Sequence, residues 1–175
     1  MKNTNHYAIL MAGGIGSRFW PVSTSKYPKQ FQDILGAGST LIQTTFHRLA
    51  KLMPVENIII LTHKEYKDVV KEQLPRVKDE QIVLEPEMRN TAPSILLGAL
   101  KIKKKNKDAL ILVAPSDHWI QGDLEFQENI EEAFQIVAED DKLITLGIEP
   151  TFPNTGYGYI KYNEEEGNGA KPVLK

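Results

Sequence analysis

Short apolar runs alternate along the chain with longer segments whose apolar residues recur at helical spacing. The runs contain almost no polar residue, which is typical of strands buried on both faces, and we predict them at 7–11, 57–62, 81–84, 109–114 and 143–147. Helices are predicted between them, at about 41–49, 65–74, 93–105 and 126–138. This alternation predicts an α/β fold with a doubly wound, mostly parallel sheet and right-handed crossovers. Ligands of such sheets bind in the crevice outside the carboxyl ends of the strands.

The third predicted helix has Pro93 in its first turn and ends in a lysine-rich turn, which suits the helix dipole. Its inward face is predicted to consist of Ile95, Leu96, Ala99 and Leu100. The amino end of this helix should therefore lie at the same side of the sheet as the loop after the first strand.

Composition narrows the choice of ligand. A chain of 175 residues with 41% hydrophobic content is enough for one domain with a core, and its net charge of −2 gives no general attraction to nucleic acid or to a membrane. The absence of cysteine excludes disulfides and thiol nucleophiles. No apolar run approaches the roughly 18 residues of a membrane span, and the first six residues are polar, so we expect a cytoplasmic protein.

A glycine-rich loop directly follows the first strand. It contains Gly13, Gly14 and Gly16, followed by Ser17 and Arg18. Glycines let the backbone approach an anion so that successive N–H groups point at phosphate oxygens, and an arginine fork adds a cation there. The loop is neither a Walker motif nor a good dinucleotide fingerprint, because a phenylalanine stands where the third glycine of the fingerprint belongs. A tight turn that binds nothing is the alternative.

Further motifs accompany this loop. Arg-Phe-Trp-Pro ends it at 18–21, Pro-Lys-Gln-Phe follows at 28–31, and three more stretches lie at 85–93, 115–118 and 154–160. Together they resemble the sugar-nucleotide pyrophosphorylases, in their mannose-1-phosphate guanylyltransferase branch. The resemblance spans roughly residues 7–162 and implies a Rossmann-like nucleotidyltransferase fold that is glycosyltransferase-A-like.

This resemblance implies an enzyme that condenses GTP with α-D-mannose 1-phosphate to GDP-mannose and pyrophosphate, for polysaccharide biosynthesis. The partners would be these two substrates, the cofactor would be Mg²⁺, and a homodimer of the full-length protein stays open. Catalysis of in-line attack on the α-phosphorus is mostly charge neutralisation and positioning.

The phosphate-binding residues follow from the matched motifs. The resemblance assigns the nucleotide loop to Ala12, Gly13, Gly14, Gly16, Ser17 and Arg18, and the catalytic roles to Arg18, Lys29 and Asp117. Lys29 would contact phosphates, and a solvated surface lysine is the alternative. Asp117 comes just after the fourth strand, where a carboxylate can hold Mg²⁺ against phosphate oxygens, although it can also cap the following turn.

Base and sugar recognition are placed in two other loops. Guanine offers N–H donors that Glu85 and Asn90 can accept, with Thr91 in the same loop, and capping of the following helix by Asn90 or Thr91 is compatible with this role. Gly156, Tyr157 and Gly158 resemble the sugar-binding turn of the family. Hairpin packing is the alternative for these three residues.

The family pattern usually continues with a Val-Glu-Lys-Pro strand and a later aspartate, which supply sugar-phosphate and metal ligands. Neither is visible here, so we expect 1–175 to be a nucleotidyltransferase domain that is truncated at its C-terminal end and has little activity of its own. Two rival functions stay open at this point. One is a related sugar-1-phosphate uridylyl- or thymidylyltransferase, and the other is a catalytically silent nucleotide-sugar-binding homologue.

Overall fold

The computed structural model describes residues 2–14, 20–87, 89–140, 142–148 and 150–160. The chain divides into two compact units, Met1–Gln127 and Glu128–Lys175. The first unit holds the described sheet and three of the four described helices, and the fourth of them begins in the first unit and ends in the second.

The described sheet has four strands, and all of them are parallel. They are β1 (His6–Met11), β2 (Ile58–His63), β3 (Ile82–Glu85) and β4 (Leu110–Pro115), in the order β3-β2-β1-β4. The predicted α/β class with a parallel sheet is confirmed. Each of the first four predicted runs forms a strand within one residue of its predicted bounds.

The helices connect these strands. They are α1 (Leu41–Leu52), α2 (Lys67–Gln73), α3 (Thr91–Lys105) and α4 (Asp123–Glu139), and single 3-10 turns lie at Lys29–Phe31, Val55–Asn57, Lys64–Tyr66 and Asp79–Gln81. The crossovers that carry α1 and α2 move from β1 to β3 in one direction, whereas the α3 crossover returns to β4 on the other side of β1. Because such crossovers are right-handed, α3 covers the face of the sheet opposite to α1 and α2.

The core on the α3 side is built from Ile9, Ile59, Leu61, Val83 and Ile102, which are all buried. The buried positions of α3 are Ser94, Gly98 and Ile102. Our prediction that Leu96 and Leu100 face inward is wrong, since they are 58% and 57% exposed. The small residues turn inward because they let the helix approach β1 closely: a Cβ added to Gly98 would lie 2.8 Å from Cδ1 of Ile9.

The predicted fifth strand at 143–147 is not formed in the structure. Residues 142–148 have no regular secondary structure, and Leu143 and Ile148 are exposed. An apolar run becomes a strand only when a neighbouring strand takes up its backbone hydrogen bonds, and none of the described residues does so for this run. Among the helices that the structure describes, none is long and apolar enough to cross a membrane.

Candidate functional site

The order of the strands places a crevice between β1 and β4. The chain leaves β1 for β2 on one side and reaches β4 on the other, so these two adjacent strands form the topological switch point of the sheet. Met11 pairs with Pro115 at their carboxyl ends. The glycine loop continues from β1 and Asp117 follows β4, which brings the two predicted phosphate-binding segments to the same end of the sheet.

The start of the glycine loop is fixed by hydrogen bonds to its backbone. The amide of Ala12 donates to the carbonyl of Leu61 at 2.8 Å, and the buried hydroxyl of Thr62 donates to the carbonyl of Ala12 at 2.9 Å. The side-chain amide of Gln30 donates to the carbonyls of Ala12 and Gly14. Gly16, Ser17 and Arg18, which we predicted to bind the triphosphate, lie outside the described residues.

Lys29 and Asp117 are brought together, although 88 residues separate them. The Nζ atom of Lys29 lies 3.7 Å from Oδ2 of Asp117 and 3.4 Å from the Asp117 carbonyl oxygen. The Lys29 side chain is 20% exposed and the Asp117 side chain 47% exposed. A cation and a carboxylate thus meet beside the glycine loop, and the carboxylate is open enough to reach a ligand.

The 3-10 turn Lys29–Phe31 is anchored to the core. Phe31 is fully buried and its ring centroid lies 5.7 Å from that of Tyr66. Gln73 donates to the Phe31 carbonyl at 2.9 Å. Burial raises the pKa of the Tyr66 hydroxyl, and the negative charge of Glu65 raises it further. This hydroxyl donates a hydrogen bond to the Ser25 carbonyl. The turn that carries Lys29 is therefore held by contacts on both of its sides.

Glu85 lies at the end of β3 and is only 8% exposed. Its Oε1 accepts a short hydrogen bond from the Ser94 hydroxyl, in the first turn of α3. Its Oε2 lies so close to the glycine loop that a Cβ on Gly13 would be 2.4 Å away. The carboxylate that we predicted to read the base therefore also packs against the loop that we predicted to hold the phosphates.

Asn90 is at the N-cap position of α3 and Thr91 is the first helical residue. The Asn90 side chain makes no capping hydrogen bond, and its backbone has φ 66°, in the left-handed region that asparagine tolerates better than most residues. Both side chains are exposed. Asn90 thus occupies the N-cap position, as the capping interpretation predicts, but its side chain does not cap the helix. The side-chain amide is therefore available to a ligand.

The loop that carries Asp117 is tied to α1. Arg48, which is buried, donates to Oδ1 of Asp123 at 2.9 Å and to the Ile120 carbonyl at 3.2 Å, and its guanidinium lies over the Phe126 ring. A hydrogen bond from Lys51 and a second, smaller contribution from the hydrogen bond of Arg48 hold the pKa of the Asp123 carboxyl below its usual value. These contacts fix the position of the loop between β4 and α4.

The three predicted sugar-binding residues, Gly156, Tyr157 and Gly158, lie in the second unit. The Gly156 amide donates to the Asn154 side chain at 2.8 Å, and the Tyr159 hydroxyl contacts both the amide and the carbonyl of Asn154. Tyr157 is exposed. Asn154 thus holds a turn in which the Tyr157 ring stays accessible to solvent. The Tyr157 ring is not packed against the turn.

Comparison with known proteins shows the family to which the chain belongs. The chain belongs to the nucleotidyl transferase family, whose model matches residues 7–171. Within the family it is similar to the mannose-1-phosphate guanylyltransferase of Salmonella montevideo, with 46% identity over 155 residues, which are 87% of this chain and 32% of the relative. It is also similar to the xanthan biosynthesis protein XanB of Xanthomonas campestris pv. campestris, with 42% identity over 167 residues, which are 94% of this chain and 35% of the relative.

A solved structure shows the same fold. The crystal structure described as mannose-1-phosphate geranyltransferase from Thermus thermophilus superposes with a TM-score of 0.77 at 34% identity, covering 88% of this chain and 44% of that chain. The resemblance that the motifs indicated is confirmed. The chain spans about a third of the length of the curated relatives named above.

Three side chains at this site had no predicted role. Gln30 was visible only as part of a motif, and Ser94, which lies on α3, gave no signal of a role at the site. Their roles depend on contacts with distant parts of the chain, such as Ser94 with Glu85 and Arg48 with Ile120. Arg48 gave one local sign, because it is a charged residue at helical spacing with the buried positions Thr45 and Leu52 of α1.

Proposed function

We propose that the protein transfers a guanylyl group from GTP to α-D-mannose 1-phosphate and releases pyrophosphate. A phosphate oxygen of the sugar phosphate forms a bond to the α-phosphorus, the bond from the α-phosphorus to the bridging oxygen breaks, and pyrophosphate leaves with the electron pair. The nucleophile is already ionised near neutral pH, so the reaction needs no general base. The observation that carries the proposal is the contact between Lys29 and Asp117 beside the glycine loop, at the switch point of the sheet.

The triphosphate would be bound by the glycine loop. Main-chain amides of 13, 14, 16 and 17 would face the phosphates, whereas the amide of Ala12 is already engaged by the Leu61 carbonyl. Arg18 would grip the leaving pyrophosphate by resemblance to the family. Lys29 adds a second positive charge from the 3-10 turn Lys29–Phe31. Both cations would stabilise charge that develops in the transition state, and such preorganised groups commonly contribute about 10²–10³ in rate each.

Asp117 fits a magnesium site in which the substrate supplies part of the metal ligands. The described residues contain no group of three or more side chains that could hold a metal by themselves. Mg²⁺ prefers one or two carboxylates and takes its remaining ligands from phosphate and water, so the single exposed carboxylate of Asp117 is sufficient beside a triphosphate. When bound, the ion would neutralise phosphate charge and orient the α-phosphorus.

The base would be read at the ends of β3 and α3. Asn90 presents a side-chain amide that is not used in capping, and Thr91 lies next to it. Glu85 has one carboxylate oxygen engaged by Ser94 and the other directed toward the glycine loop, and this second oxygen would accept an N–H of guanine. Gly156, Tyr157 and Gly158 would border the mannose ring, with the exposed tyrosine ring against its apolar face.

The experiment measures pyrophosphate release by the polypeptide in its full natural length, in the presence of Mg²⁺. GTP with mannose 1-phosphate should be the preferred pair over UTP or dTTP with glucose 1-phosphate. Lys29→Met should lower kcat/KM by about 10²–10³. Lys26→Met is the matched control, because Lys26 is exposed in the same segment, and its kcat/KM should stay within about twofold of the wild type. A preference for UTP, or an unchanged rate in Lys29→Met, would contradict the proposal.

A further inference from the structure

Gln30 is a buried polar side chain whose side-chain amide donates to the glycine loop. It is 3% exposed and occupies the middle of the 3-10 turn Lys29–Phe31. Its Nε2 atom donates to the carbonyl oxygen of Ala12 at 3.1 Å and to that of Gly14 at 2.9 Å. One amide therefore uses both of its hydrogens to hold two backbone carbonyls on either side of Gly13.

These two bonds determine which way the loop presents its peptide groups. In a trans peptide the carbonyl of one residue and the N–H of the next point in opposite directions, so holding the Ala12 carbonyl toward Gln30 directs the N–H of Gly13 the other way. A glycine loop has little steric preference between the two orientations, because glycine adopts both signs of φ. A carbonyl oxygen that faced the ligand would repel a phosphate, whereas an N–H attracts it.

The two carbonyls differ in how they are held. The carbonyl of Ala12 also accepts the Thr62 hydroxyl at 2.9 Å, whereas Gln30 is the partner that the structure gives to the carbonyl of Gly14. Loss of the Gln30 side-chain amide would thus release the carbonyl of Gly14. Loss of the Thr62 hydroxyl would leave both hydrogen bonds of Gln30 in place. This difference makes Thr62 a matched control for Gln30.

The same turn also carries Lys29. The adjacent residues Lys29 and Gln30 point to Asp117 and to the glycine loop respectively, and Phe31 fixes the turn in the core. One short rigid turn therefore sets the position of a cation and the orientation of the loop backbone relative to each other.

We infer that Gln30 is a positioning residue for nucleotide binding, which holds the carbonyls of Ala12 and Gly14 away from the triphosphate so that the loop amides face it. This inference deepens the proposed function and rests on it, since it requires that the loop binds the phosphates of a nucleoside triphosphate. It does not depend on which base or which sugar the protein selects.

The test compares Gln30→Met, Gln30→Glu and Thr62→Val in the polypeptide of full natural length. Isothermal titration gives dissociation constants for GTP with Mg²⁺ and, separately, for mannose 1-phosphate. Gln30→Met keeps the size of the side chain but has no donor, so we expect GTP affinity to fall about tenfold or more while mannose 1-phosphate affinity stays within about twofold. Thr62→Val should weaken GTP binding clearly less than Gln30→Met does, because both Gln30 bonds remain.

Gln30→Glu supplies a readout that a general packing defect would not give. A carboxylate facing two carbonyls is repelled by them and its pKa is raised, whereas the protonated form can donate one hydrogen bond. GTP affinity of this variant should therefore recover as the pH is lowered from about 8 to about 5.5, relative to the wild type at each pH. If Gln30→Met fails to fold, this recovery in Gln30→Glu decides the matter.

Several results would overturn the inference. Unchanged GTP affinity in folded Gln30→Met would do so, as would an equal loss of affinity for both substrates or a Gln30→Glu variant without pH-dependent recovery. If the wild type binds UTP rather than GTP, the proposed function is wrong about the base. The inference is then supported if Gln30→Met weakens UTP binding and refuted if it does not. A wild type that binds no nucleoside triphosphate would refute both.

Discussion

The contact between Glu85 and the glycine loop makes Gly13→Ala the sharpest test of the site geometry. The added Cβ would lie 2.4 Å from Oε2 of Glu85, about 1 Å closer than ordinary van der Waals contact, which begins near 3.4 Å. The end of a glutamate side chain can usually move aside at little cost. This one cannot do so freely, because its Oε1 accepts the Ser94 hydroxyl and the residue is 8% exposed.

The magnitude follows from what the carboxylate must give up. Withdrawal by about 1 Å breaks the bond from Ser94 to a charged acceptor, which contributes about 1.5–3 kcal/mol to the free energy of unfolding. Replacing glycine by alanine restricts the unfolded chain and returns about 0.4–1 kcal/mol. We therefore expect Gly13→Ala to destabilise the protein by about 1–2 kcal/mol, which lowers the melting temperature by a few degrees.

Gly14→Ala is the matched control. A Cβ at Gly14 would meet nothing within 4 Å among the described residues, so the substitution should be neutral or slightly stabilising. Thermal or urea unfolding of both variants gives the comparison. In the double variant Gly13→Ala with Glu85→Asp, the shorter side chain relieves the clash, so the two costs should fall short of additivity by about 1 kcal/mol. Equal stability of Gly13→Ala and Gly14→Ala, or strict additivity in the double variant, would refute the reasoning.

Three further predictions concern the elements around the site. Gly98→Ala should destabilise by about 1 kcal/mol in urea unfolding despite the better helix propensity of alanine, because its Cβ would lie 2.8 Å from Cδ1 of Ile9. Ile9→Val removes that atom but keeps Cγ1 at 3.2 Å, so Gly98→Ala should cost less in that background; an equal cost in both backgrounds, or a stabilised single variant, would contradict this. Arg48→Met should cost about 1–3 kcal/mol and speed amide exchange in 116–123, and unchanged exchange would show that Arg48 does not hold that loop. The pKa of Asp123 is lowered in the folded state, so its contribution to stability is complete above the unfolded pKa near 3.9 and is lost as the pH falls below that value. The difference in unfolding free energy between the wild type and Asp123→Asn should therefore shrink below about pH 4. A difference that stays constant with pH would contradict the ion-pair explanation.

The parts of the fold that depend on local pattern were predictable from the sequence. The strands at 7–11, 57–62, 81–84 and 109–114 are continuous apolar runs, and such runs occur in parallel sheets that are covered on both faces. The alternation with helices then determined the class of the fold and the end of the sheet where ligands bind. That end is where Lys29 and Asp117 meet.

The remaining features depend on tertiary contacts that local pattern does not contain. The inward face of α3 was misread because close packing selected Ser94 and Gly98 over the larger Leu96 and Leu100. Hydrophobicity alone ranks those positions in the opposite order. In the same way, the run at 143–147 has the composition of a strand, but a strand also requires a partner for its backbone. The roles of Glu85 and Gln30 as supports for the glycine loop depend on contacts with parts of the chain that are distant in sequence.

The pairing of β1 with β4 has a consequence for how the protein matures. Met11 and Pro115 are partners across roughly one hundred residues, and a pairing of such long range closes slowly during folding. The proposed nucleotide site lies across the carboxyl ends of these two strands, so a chain in which they are unpaired would have the loop without its opposing carboxylate. Affinity for the proposed triphosphate ligand should consequently require this pairing, and a substitution that loosens the two strands should weaken binding although it changes no residue that contacts the ligand.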